Sequence, residues 1–288
     1  MQAISRRQFW GRTAAGVTAA GCLSGAARML EASPLKLPIG CQVFPVREQL
    51  VQDFDGTLRA IAAVGYRVIE FCSPPGFVKM GFASLMGMKA SEIRQRINGA
   101  GLRVVSCHYQ FLELKEHLDE RISFAKELGL KQMVVATLAI PESAPLDGWK
   151  KAADELNKLG ERTQKAGIQL GFHNHGFEFQ QIGGALIFDE LMKRWDPKLV
   201  KSQFQVSDAA RLGFDPAAIL TKYPGRFLSL HLQDWSATTK EVAPVGQGSI
   251  DWRKVFTAAK KGGIAYYFVE MSMDALKASY PYLHDLSV

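Results

Sequence analysis

Apolar and polar positions alternate along the chain in two periods, and the two periods alternate with each other. Runs with apolar residues three and four apart, such as "LRAIAAV", "ASEIRQRINGA", "LDERISFAKEL" and "WKKAADELNKLGERTQKA", have the spacing of amphipathic helices. Each gives way to a short run that is apolar on both faces and rich in β-branched residues. The junctions read "AAVGYRVIEF", "NGAGLRVVSCHY", "KELGLKQMVVAT", "QKAGIQLGFHNH" and "KKGGIAYYFVEM". In every one a glycine stands where a helix C-terminus favours a left-handed residue. Strands apolar on both faces are the mark of a buried parallel sheet.

Filling the gaps predicts strands at about 37–44, 66–72, 102–108, 132–137, 168–174, 201–206, 227–232 and 265–270, with "GALIFDELMKRW", "PAAILTKY", "WRKVFTAAKK" and "DALKASYPYLHDL" among the later helices. Eight strand–helix units predict an α/β protein, a (β/α)8 TIM barrel, occupying residues 33–288 as one domain. The alternative, an open doubly wound sheet, would usually carry a glycine-rich phosphate loop after an early strand, and none is seen.

The first 32 residues break the pattern. "SRRQFWGR" is followed by the soft apolar run "TAAGVTAAGCLSGAA", which resembles a twin-arginine export signal. That predicts a partnership with the twin-arginine translocase and a periplasmic or secreted protein. A lipid anchor at Cys22 is the less favoured variant. The segment also carries Arg6, Arg7, Arg12 and Arg28 against Glu31, so it accounts for about three of the seven net positive charges. The mild remainder, with no basic cluster interleaved with aromatics, gives no footprint for nucleic acid. No later run is apolar for long enough to span a bilayer. Cys41, Cys72 and Cys107 all fall in strand-like runs and read as buried thiols, though export leaves room for one disulfide.

In a barrel the chemistry gathers where strands end. Glu70, His108, the segment His173, Asn174, His175 and Glu178, then Gln205 and Asp208, His231 and Asp234, and Glu270 fall at or just beyond predicted strand ends. Four of the six histidines are among them. Polar groups inside apolar strands are costly unless paired, and imidazoles with carboxylates are ligands for a divalent ion such as Mn²⁺, Mg²⁺, Co²⁺ or Zn²⁺. Glu70, His108, His173, Asp234 and Trp235 are candidate substrate contacts at this rim, with Trp149 and Trp252 as further candidates for stacking.

The motifs "HNHGFEF", "GFDP", "KYPGRF", "LHLQD", "VGQGSIDW" and "YYFVE" resemble those of the sugar phosphate isomerase/epimerase family, the xylose-isomerase-like barrels. The resemblance implies one metal ion held by Glu178, a strand-6 residue, His231 and Glu270. It also implies two glutamates, Glu178 and Glu270, moving a proton beside a sugar carbonyl. On strand 6 the family's usual aspartate falls on Gln205, so either that amide or Asp208 completes the set. On strand 5 His173 is the alternative ligand, with His175 a base or substrate contact. The expected activity is metal-assisted isomerisation, epimerisation or elimination on an unphosphorylated sugar or keto-glycoside. The alternative is a non-catalytic carbohydrate-binding protein whose metal site has decayed.

Overall fold

The computed structural model describes residues 33–141 and 143–288. The expected export signal, with Cys22, lies outside the described residues. Eight parallel strands close on themselves in chain order: β1 (Gly40–Gln42), β2 (Val68–Cys72), β3 (Arg103–Tyr109), β4 (Gln132–Val135), β5 (Gln169–His173), β6 (Val200–Gln205), β7 (Phe227–Leu232) and β8 (Tyr266–Val269). Gly40 and Cys41 of β1 pair with Phe268 and Val269 of β8, which seals the barrel. A main helix follows each strand on the outside: α1 (Phe54–Val64), α2 (Ala90–Gly99), α3 (Phe111–Leu128), α4 (Leu146–Lys165), α5 (Ile187–Arg194), α6 (Pro216–Lys222), α7 (Trp252–Gly262) and α8 (Met273–Asp285), with short helices Arg47–Gln52 and Val206–Arg211 preceding α1 and α6. The TIM barrel expected from the alternation of periods is therefore the observed fold.

The junction glycines act as the pattern required. Gly129 and Gly263 cap α3 and α7 in the left-handed region, at φ of 87° and 69°, and turn the chain into the next strand. The first strand ends earlier than expected because Pro45 stands in a 3-10 turn at Phe44–Val46, one residue beyond it. A proline has no N–H to give to a ladder. Between helices and barrel lies a continuous apolar layer that includes Trp149, Trp195, Trp252 and Phe204. Trp149 and Trp252 are 0% and 1% exposed, so both are packing residues and neither can stack on a sugar. Cys41, Cys72 and Cys107 are free and buried.

Inside the barrel the filling is unusual in one respect. A small barrel normally packs its centre with branched apolar side chains. Here Gln42, Glu70, Ser106, Gln203, Ser229 and His231 are all 0% exposed. Burying that many polar groups is tolerable only if they are satisfied: Gln42 is held by the Phe44 N–H and the Cys72 thiol, and the other five bond to one another.

Candidate active site

Glu70 is the hub of the buried layer. It lies mid-strand on β2, opposite Ser106 on β3, one layer below the rim position expected for it. Its Oε1 accepts from Ser106 Oγ at 2.6 Å and Gln203 Nε2 at 2.7 Å. Its Oε2 lies 2.5 Å from His231 Nε2 and 3.0 Å from His108 Nε2. Burial pushes this carboxyl up, but His108 and His231 outweigh it and hold Glu70 well below the usual carboxylate range. A buried carboxylate is stable only with donors of this kind around it.

Gln203 is the second hub. Its Nε2 also donates to Ser229 Oγ at 2.9 Å, while its Oε1 faces His108 Nε2 at 2.6 Å and His173 Nδ1 at 3.1 Å. The amide orientation follows from Glu70, which can only accept. The oxygen therefore takes its hydrogen bonds from the two imidazoles. With Nδ1 of His173 donating, that ring is the neutral Nδ1–H tautomer. Burial, followed by the neighbouring histidines, pushes its pKa well below the ordinary value.

Above these hubs, at the mouth, His231 Nδ1 lies 3.1 Å from Glu270 Oε2, and Gln205 Nε2 donates to the same oxygen at 2.8 Å. His231 thus bridges two carboxylates through its two nitrogens. Burial pulls its pKa down, but Glu70 and Glu270 prevail and raise it to about 9. At neutral pH it is an imidazolium between two carboxylates. Glu270 in turn is held below its usual range, burial being outweighed by His231. Its side chain is 14% exposed where that of His231 is 0%, so Glu270 is the member of this chain that faces the mouth. Gln233 Nε2 donates to the Glu270 carbonyl at 2.8 Å and fixes the end of β8.

The strand-5 segment divides. His173 joins the buried cluster, its ring 4.5 Å from that of His231 and 5.1 Å from that of His108. His175 stacks on Phe177 at 5.3 Å. Burial pulls its pKa down against the raising effect of Glu270 and Asp208. Glu178 lies in the 3-10 turn Gly176–Phe179. Its Oε2 accepts the backbone N–H of His175 at 2.7 Å, and it is fully buried.

Among the described residues, the donor atoms that converge are those of His108, His173 and His231, all within 4.8 Å of one another. Gln205 Oε1 is buried without a hydrogen-bond partner, which is what a neutral oxygen ligand looks like before a cation reaches it. Three imidazoles, with an orphaned carbonyl oxygen on the neighbouring Gln205, suit a divalent ion such as Zn²⁺. His231 has a lone pair to offer only after it gives up a proton, so loading such a site releases acid.

Asp208 pairs with Arg211 at 3.0 Å, and neither it nor Glu178 belongs to the converging donor set. Asp234 is 1% exposed. Its Oδ1 accepts from the N–H of Trp235 and Ile250, and its Oδ2 from the N–H of Gly246 and from Trp252 Nε1. Three of those donors come from its own β7–α7 loop and the fourth from the first residue of α7, so its oxygens are engaged in holding that connection. Trp235 is half-buried in a two-stranded ribbon, Asp234–Ser236 against Glu241–Ala243. Ser106, Gln203 and Ser229 were not anticipated.

The family model described as "Xylose isomerase-like TIM barrel" matches residues 58–285. The chain belongs to that family. Among solved structures, a sugar phosphate isomerase/epimerase from Parabacteroides distasonis is 26% identical, with a TM-score of 0.72 over 86% of this chain and 94% of that one. The IOLI protein, solved with a bound zinc atom, shares the fold at 15% identity, with a TM-score of 0.64 over 86% of this chain and 94% of its own. An inosose dehydratase from Clostridium beijerinckii is 31% identical over 140 residues, 44% of this chain and 46% of the relative. The chain spans about half the length of the first curated relatives it matches.

Proposed function

We propose that this xylose isomerase-like barrel is an enzyme that moves a proton at a carbon next to a sugar carbonyl, with a divalent metal at the His108–His173–His231 cluster. The observation that carries this reading is the Glu70–His231–Glu270 chain, which ends in an ionised carboxylate at the barrel mouth. The proton-transfer step follows from these groups. Glu270 takes the proton from the carbon beside the carbonyl, and the electron pair moves onto the carbonyl oxygen. His231, clamped by Glu70 below, holds Glu270 in place and keeps its carboxylate ionised when the site is free. His175, pulled down in pKa, stands neutral beside the mouth to hydrogen-bond a substrate hydroxyl.

His108, His173 and His231, with Gln205 Oε1, would hold the ion, and the ion would supply polarisation of the carbonyl oxygen. Three outcomes share the first step. Return of the proton to the same carbon from the other face gives an epimer. Its return to the neighbouring carbon gives an isomer. Delivery to an oxygen on the β-carbon breaks that C–O bond as the double bond forms, and water or an alcohol leaves. The Clostridium relative is named as an inosose dehydratase and the Parabacteroides relative as an isomerase/epimerase; both names fit this shared step.

The substrate class we favour is an unphosphorylated keto-sugar or keto-glycoside met outside the cytoplasm after twin-arginine export. Arg211, the arginine beside the strand-5 turn, is neutralised by Asp208, which speaks against a phosphate there. Glu270→Gln keeps the shape and removes the base. Turnover of keto-glucosides should fall by at least about a thousandfold in that variant. Turnover within about tenfold of the parent would remove Glu270 from this role. The alternative, a binding protein without turnover, draws on Gln205, an amide where the family resemblance implies an aspartate; it predicts sugar binding with no product from any keto-sugar.

A further inference from the structure

Outside the barrel mouth lies a second concavity. A cleft of about 510 Å³ runs between the β6–α6 connection and the β7–α7 connection with the first turn of α7, with Arg211, Phe214, Asp215, Trp235, Lys240 and Lys254 among its walls. Both connections leave the C-terminal ends of their strands, so the cleft opens on the same face as the candidate active site. Arg211 joins the two. It lines the cleft, it pairs with Asp208, and its guanidinium packs so closely on Gly176 that a Cβ there would sit 2.2 Å from its nitrogen. Gly176 is the residue after His175.

The walls are built rather than incidental. The Trp235 backbone is fixed from both sides, its N–H donating to Asp234 at 2.9 Å and its carbonyl accepting from Ser249 at 2.8 Å. Lys240 holds a left-handed backbone, φ 60°, at the tip of the ribbon, with its N–H on the Ser236 carbonyl. A residue with a Cβ pays for that conformation only where its surroundings enforce it. The resulting cleft combines two aromatic rings with cationic and anionic groups at its edge. A flat aromatic face packs on the C–H face of a pyranose, and the polar edge meets its hydroxyls. The volume admits one hexose unit with room for water.

We infer that this cleft is the subsite for the second unit of a glycoside, the sugar on the far side of the glycosidic oxygen from the reacting ring. The inference rests on the sugar-directed reading of the barrel mouth, and it assigns Trp235 as the residue that favours a glycoside over a free monosaccharide. Trp235 is then a specificity residue with no part in moving the proton.

The test is equilibrium binding of cellobiose, maltose and trehalose against glucose, by calorimetry on the mature protein. The parent should bind at least one disaccharide roughly five- to tenfold more tightly than glucose, the scale of one aromatic platform. Trp235→Ala should erase that advantage and leave glucose affinity unchanged, and Lys240→Ala should reduce it. The side-chain change spares the backbone bonds of Trp235, and an unchanged thermal midpoint checks that. No disaccharide preference in the parent would overturn the inference. So would a preference that survives in both variants, or an equal loss for glucose. Proton transfer on a free keto-sugar needs no cleft. The two readings therefore fail separately: loss of exchange sinks the chemistry, and loss of disaccharide preference sinks the subsite.

Discussion

Gln203 has four hydrogen-bonding positions and uses all of them, on Glu70, Ser229, His108 and His173. Gln203→Leu keeps the bulk, strips a donor from the buried Glu70 and leaves two imidazoles without their acceptor. The expected loss of stability is about 3–5 kcal/mol, read from urea unfolding; a loss under about 1 kcal/mol would mean the hub is not rigidly shared. This residue also marks the limit of what the sequence could reveal. Histidines and glutamates inside apolar strands stand out because their burial is costly, so His108, His173, His231 and Glu270 were legible. Neutral polar residues do not stand out in the same way. Yet Ser106, Gln203 and Ser229 each lie two residues before a residue that was singled out, namely His108, Gln205 and His231. Strand residues two apart share a face, so following each rim residue one step down its strand finds the layer beneath.

At the scale of elements, helices and strands followed from periodicity and from their capping glycines, while the loops did not. The β7–α7 connection shows why. "VGQGSIDW" reads as a turn-rich segment, but its shape depends on Asp234, which collects four donors from across it. A chain pattern cannot show that these donors converge. Gly246 and Gly248 are required there for space, since a Cβ at either would meet the Tyr282 ring or the Asp234 carboxylate within 2.3 Å. Asp234→Ala should free the loop while the barrel stays folded. The expected result is faster amide hydrogen exchange at Gly246 and Ile250, with β7 itself still protected. Unchanged protection at those two amides would show that the loop is held by other contacts. The strand-5 turn follows the same logic: Glu178 was legible as a carboxylate near the site, but not as the acceptor that closes the His175 turn.

For the molecule as a whole, the buried charge chain links stability to pH. In metal-depleted protein, the raised pKa of His231 means that its contribution is fully present below about pH 6.5, the unfolded value, and is lost as pH rises through about 9. Glu70 and Glu270 have lowered values, so their contribution is present above the ordinary carboxylate range and is lost as pH falls below it. Urea midpoints measured from pH 4 to 10 should therefore peak on the mildly acidic side of neutrality and decline towards pH 9. A midpoint that rises over that upper interval would contradict the imidazolium assignment. The measurement that most directly tests the central account is solvent exchange. A keto-glucose or keto-glucoside incubated with the mature, metal-loaded protein in D₂O should lose the proton NMR signal of the carbon next to its carbonyl. That loss should be absent with Glu270→Gln. If the signal persists with the parent protein at the background rate across such substrates, the barrel mouth does not perform proton transfer, and the proposed chemistry is wrong.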